Sequence, residues 1–131
     1  MKVFLSFSKP DRSFAEQLGS NIRALGADVL SEDTWNEPGA NLDQALREAL
    51  EAADGVVLVV PEPGASKANN AFFEAGAARA LGKPVVAVLP SPDPGRAGEL
   101  PSDMYGLAVF DGSRGTPESL ANSIVTALKA A

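Results

Sequence analysis

The sequence predicts a three-layer α/β fold of the flavodoxin-like kind, a five-stranded parallel sheet with helices on both faces. Three observations carry that prediction. Short apolar runs alternate along the chain with stripes of apolar residues at helical spacing. Two of the runs, Val56–Val60 and Val85–Leu89, contain no polar residue, as strands buried on both faces do. Strand-like and helix-like segments succeed one another singly, which builds parallel strands joined by crossover helices. Right-handed crossovers leave few topologies, and the order 2-1-3-4-5 puts the three most apolar strands at the centre.

Each element follows from local chemistry. Val3–Phe7 is a short apolar run and the first strand. Residues 13–25 set Phe14, Leu18, Ile22 and Leu25 on one helical stripe, and Gly26 stands where a helix would stop. Asp28–Leu30 is a brief second strand. Residues 31–41 form a loop with Trp35, Pro38 and Gly39, and Leu42, Leu46, Ala49, Leu50 and Ala53 mark a second amphipathic helix. Val56–Val60 is the third strand, flanked by Gly55 and Pro61. Residues 70–81 are a third helix, with Asn70 as its cap, Phe73, Ala77 and Leu81 as its inward stripe, and Gly82 after it. Val85–Leu89 is the fourth strand. Residues 90–104 carry four prolines and two glycines, a surface loop. Residues 107–110 are the fifth strand. In the last helix Leu120, Ile124 and Leu128 face inward, with Thr116 as N-cap ahead of Pro117.

Composition narrows the chemistry. The 131 residues are sized for one domain, and 45% hydrophobic with 21% charged residues is an ordinary globular balance. With no histidine and no cysteine, a Ser-His-Asp triad, a cysteine nucleophile, a Cys/His zinc site and a disulfide scaffold are all excluded. A net charge of -6 argues against nucleic acid as the main partner. No apolar run approaches the length of a membrane span, and no signal peptide opens the chain, so a cytoplasmic domain is expected.

In a sheet of this order, ligands bind beyond the carboxyl ends of the strands where the order reverses, between the first and third strands. The loops that meet there are residues 6–12 and 61–70, with residues 32–41 above them. Glu74 lies beside that crevice, and Ala78 at i+4 offers it no cation. It reads either as a charge favoured by a helix N-terminus or as a working carboxylate. Ser6, Ser8, Lys9 and Arg12 either cap the first helix or, through Lys9 or Arg12, clamp a phosphate. Trp35 is either a loop anchor or a stacking platform. No Walker motif or GxGxxG follows the first strand, and the acidic residues of a receiver domain are missing.

Together these segments resemble the Toll/interleukin-receptor (TIR) domain family in its bacterial form. Val3-Phe4-Leu5-Ser6-Phe7-Ser8-Lys9-Pro10-Asp11 is similar to its first box, and Asp28 through Trp35, Pro38, Gly39 and Leu42 to its second strand and BB loop. Residues 53–60 are similar to its third strand, and Asn70 to Gly76 with Gly82-Lys83-Pro84-Val85 to its third helix and fourth strand. The resemblance spans roughly residues 2–130, so residues 1–131 read as one TIR-like domain, of a kind often fused to a sensor in a longer protein.

The resemblance implies an NAD⁺ glycohydrolase or cyclase of bacterial antiviral defence, with Glu74 as catalytic residue, NAD⁺ as substrate and no cofactor or metal. Substrate contacts are expected from Phe7, Ser8, Lys9, Arg12, Trp35 and Asn70, and activation from homotypic association through the loop Trp35–Gly39. One departure is specific: Asn70 stands four residues before the glutamate, where many NAD-cleaving relatives have tryptophan, and Phe7 or Trp35 would then supply the ring. Two other functions fit the same residues: a non-catalytic TIR interaction module, and an enzyme like the nucleoside 2-deoxyribosyltransferases.

Overall fold

A computed structural model describes residues 1–31, 42–60, 68–90 and 108–130, apart from the side chains of Lys9 and of residues 42–45 and 68–73. Five strands, β1 (Lys2–Ser6), β2 (Asp28–Leu30), β3 (Gly55–Val59), β4 (Val85–Leu89) and β5 (Ala108–Asp111), form one sheet. Every pairing is parallel and the order is β2-β1-β3-β4-β5, the predicted arrangement. A single 3-10 turn, Lys9–Asp11, leads into α1 (Arg12–Ala24). The remaining helices among the described residues are α2 (Leu42–Ala52), α3 (Ala68–Ala80) and α4 (Pro117–Ala130).

Alternation along the strands divides the interior in two. Val3 and Leu5 of β1, with Val57, Val59, Val86 and Val88, pack under Leu18 and Ile22 of α1 and Leu120 and Ile124 of α4. Phe4, with Val56, Leu58 and Ala87, packs under Leu46 and Leu50 of α2 and Ala75 and Ala78 of α3. Every residue of β3 is buried, as its unbroken apolar run requires.

The helix ends follow their capping residues. Thr116 Oγ1 accepts the amide of Ser119 at 3.1 Å, the bond of an N-cap with Pro117 as first helical residue. Gly82, at φ 77°, closes α3 with two backbone bonds, its own amide to Arg79 O and that of Lys83 to Ala78 O, each at 3.0 Å. That pair of bonds is a Schellman motif, and the left-handed residue it needs is the glycine.

Two helical stripes differ from expectation. In α1 the inward residues are Ala15, Leu18, Gly19 and Ile22, while Leu25 is 47% exposed. Leu25 follows the last helical residue, where the chain unwinds toward Gly26 and leaves the stripe. Among the described side chains of α3, Glu74, Ala75 and Ala78 are buried, Ala77 packs partly buried against the same core, and Leu81, just beyond the helix, is 38% exposed. Of the expected stripe Phe73–Ala77–Leu81, Ala77 does pack against the core, Leu81 does not, and the side chain of Phe73 lies outside the described residues. Alanines lie against the sheet, and the carboxylate turns inward with them.

Candidate functional site

Glu74 sits in the second turn of α3 and is only 6% exposed. Its Oε1 accepts a hydrogen bond at 3.0 Å from the hydroxyl of Ser6, the fully buried last residue of β1. The topology explains the meeting. From β1 the chain turns to α1 and the edge strand β2; from β3 it turns the opposite way, to α3 and β4. Ser6 pairs in register with Leu58 of β3, so the contact lies at the carboxyl ends of the two strands where the order reverses.

The helix begins at Ala68, so Asn70 is its third residue and does not cap it as expected. Glu74 then lies beyond the first turn, where the field of a helix terminus has largely faded, and the helix-charge reading fails. The hydroxyl of Ser6 is one group that compensates its burial. A hydrogen bond to a charged group is worth about 1.5–3 kcal/mol, and a buried carboxylate stripped of it would be costly.

The residues after β1 divide between two duties. Ser8 is 4% exposed and donates to Oδ2 of Asp11 at 3.3 Å; Asp11 is 7% exposed, and its amide donates to Ser8 O at 3.0 Å. Asp11 occupies the N-cap position of α1, yet its side chain makes no capping hydrogen bond. The capping role expected of Ser6 and Ser8 is thus replaced, since each hydroxyl donates to a buried carboxylate. Arg12 pairs with Glu16 one turn along at 3.6 Å, on the exposed surface of α1, and its guanidinium stands 5.9 Å from the centre of the Phe7 ring.

Phe7 does not join Glu74. Next to Ser6 in an alternating strand, it turns to the other side of the sheet and packs against the α1 and α4 core. There it lines a cleft of about 430 Å³ with Leu5, Gly19, Val29 and Arg23. This cleft is across the sheet from Ser6 and Glu74. Lys9 lies in the 3-10 turn and Asn70 in α3, but both side chains fall outside the described residues, as do Trp35 and the whole loop Trp35–Gly39.

Sequence reasoning singled out Glu74 and missed its partner. The missing signal was available: Ser6 has the parity of Phe4, whose side faces α2 and α3. Among the described residues no group of three or more acidic side chains could hold a metal ion, and no helix is long and apolar enough to cross a membrane.

The family described as the TIR domain matches residues 3–124 of the sequence. No curated protein matches it. Among solved structures, the TIR domain of the Toll-related receptor TRR-2 from Hydra magnipapillata aligns with 97% of each chain at 13% identity and a TM-score of 0.71. The TIR domains of the activated Roq1 resistosome, which directly recognizes the pathogen effector XopQ, align with 97% of this chain and 98% of theirs at 15% identity, TM-score 0.67. The CMP N-glycosidase BcmB of Clostridium botulinum aligns with 97% of this chain and 99% of its own, at 15% identity and a TM-score of 0.58. At such identities the likeness is one of fold.

Proposed function

The chain belongs to the TIR domain family, and from that membership we propose that it cleaves the bond between nicotinamide and ribose in NAD⁺, with Glu74 as catalytic residue. The observation that carries the reading is the buried Glu74 carboxylate held by Ser6 at the reversal of strand order. Nicotinamide leaves as a neutral base, taking the electron pair of the C1′–N bond, so no general acid is needed. Positive charge develops on C1′ and the ring oxygen of the ribose. A fixed carboxylate in a site shielded from water stabilises that charge, as carboxylates do in glycoside hydrolysis. One glutamate can perform this step in a chain without histidine or cysteine.

In this reading the enzyme works in the cytoplasm as a self-associated signalling or defence domain. The loop Trp35–Gly39 makes the homotypic contact, and Lys9, Trp35 and Asn70 contact the substrate. Concentrated or crowded protein incubated with NAD⁺ is expected to release nicotinamide. Glu74→Gln should lower the rate by about 10²-fold or more, the scale on which a charge-stabilising group acts. Equal release by the variant and the parent protein would remove Glu74 from the mechanism.

Cleavage of a nucleotide's own base is a second reading, favoured by the likeness in fold to a CMP N-glycosidase. The same assay with CMP and with deoxynucleosides plus free base separates it, because base release or exchange would then replace nicotinamide release. A pure interaction module would show assembly that depends on Trp35 and no release from any substrate.

A further inference from the structure

On the face of the sheet away from Glu74, α1 crosses β1 and β2 on small residues. Ala15 and Gly19, one turn apart, are both buried, and a Cβ on Gly19 would meet the side chains of Leu5 and Val29 at 3.6 Å. Beside this contact lies the cleft of about 430 Å³, with Leu5, Phe7 and Val29 as its apolar walls. Two charged side chains, Glu16 and Arg23, also line it. Glu16 is committed to Arg12 at 3.6 Å. Arg23 has Gly19 and Ser20 four and three residues before it and Gly26 and Ala27 three and four after, so no carboxylate stands within helical reach. Among the described residues it makes no ion pair. A long helical side chain leans back over the preceding turn, and for Arg23 that turn is Gly19 and Ser20, at the cleft.

We propose that this cleft binds a small aromatic carboxylate, its ring against Leu5, Phe7 and Val29 and its carboxylate on the Arg23 guanidinium. The volume falls within the range of about 300–1,000 Å³ in which small-molecule sites occur. Apolar walls favour a flat ring beside Phe7, and the planar fork of an arginine matches a carboxylate with two parallel hydrogen bonds. A neutral ring would leave the cation unanswered, and an anion without an apolar body would leave the walls wet. The Ser6–Glu74 pair takes no part in this site. Binding is read without turnover, so its failure is distinct from failure of NAD⁺ cleavage.

The test uses the full chain, labelled with ¹⁵N and titrated with benzoate, with its neutral counterpart benzamide and with inorganic phosphate. Benzoate should shift the amides of Gly19, Ser20 and Val29 to saturation, and bind about tenfold or more tighter than either of the others, the scale of one charge-assisted contact. Arg23→Gln should erase the preference for benzoate over benzamide while the spectrum stays that of a folded chain. Ser20→Phe, at an exposed position, puts a ring at the cleft and should weaken benzoate and benzamide alike. No saturable shift at these amides, equal binding of benzoate and benzamide, or an unchanged preference in Arg23→Gln overturns the proposal. So does unchanged binding in Ser20→Phe, which would locate the benzoate elsewhere. Shifts of the same amides with protein concentration alone would show that a second copy covers the cleft, and would also overturn it.

Discussion

Ser6 and Glu74 are 68 residues apart in the chain and 3.0 Å apart in space, joined by a hydrogen bond that crosses from the last residue of β1 to the second turn of α3. Ser6→Ala removes one donor to a buried carboxylate. Stability should fall by about 1.5–3 kcal/mol, read as a lower urea midpoint. In a double-mutant cycle with Glu74→Ala the two losses should not add, with a coupling of about 0.5–3 kcal/mol. Full additivity would mean that the bond contributes nothing.

Gly112 follows β5 closely enough that a Cβ would lie 2.8 Å from the carbonyl oxygen of Leu89 and 2.7 Å from the Phe14 ring. Its amide also donates to that same oxygen at 2.8 Å. The backbone cannot yield as a side-chain tip can, so Gly112→Ala should cost about 1–3 kcal/mol. Gly19, inside α1, is the control. A Cβ there meets Leu5 and Val29 at 3.6 Å, an ordinary contact, and Gly19→Ala should raise stability by up to about 1 kcal/mol through helix propensity. Thermal melts of the two variants should move in opposite directions.

Thr116→Ala should remove the acceptor for the Ser119 amide and lower stability by about 1 kcal/mol, with Thr116→Ser restoring it. Hydrogen exchange at the Ser119 amide reports the loss locally. Unchanged protection in Thr116→Ala would show that another group caps α4.

The carboxyl of Asp111 is held below its usual value first by the Ser113 hydroxyl, then by the Ser113 amide, with Arg114 adding to both against a small effect of burial. A group whose value is lowered on folding stabilises the fold above its unfolded value, near 3.9, and that contribution is lost as pH falls through the folded one. Carbon-detected NMR should find this aspartate titrating below ordinary aspartates. Ser113→Ala should move it upward while the amide bond keeps part of the shift.

Strand order, and strand limits to within a residue, were readable because β3 and β4 are apolar without interruption and β1 is apolar through Val3, Phe4 and Leu5, so burial on two faces puts these strands at the centre. Helices α2 and α4 were readable too, since large aliphatic residues mark a single stripe. Helix α3 was not. Its alanines give almost no contrast between faces, so the expected stripe did not include Glu74, which is buried. The site followed the same division. Topology identified the crevice and its carboxylate, but hydroxyls carry no periodic signal, and Ser6 and Ser8 looked like helix caps until the fold supplied their acceptors. The placing of Phe7 beside Glu74 overlooked the alternation of a strand.

That alternation also ties the hollow behind the sheet to the acid in front of it. Leu5 and Phe7 are walls of the hollow, and the serine between them anchors Glu74. An engineer who filled that space from the α1 side would lean on the very peptide groups that fix the acid's anchor. Repacking there retunes the front of the molecule, and the two sides of this strand form a single mechanical part.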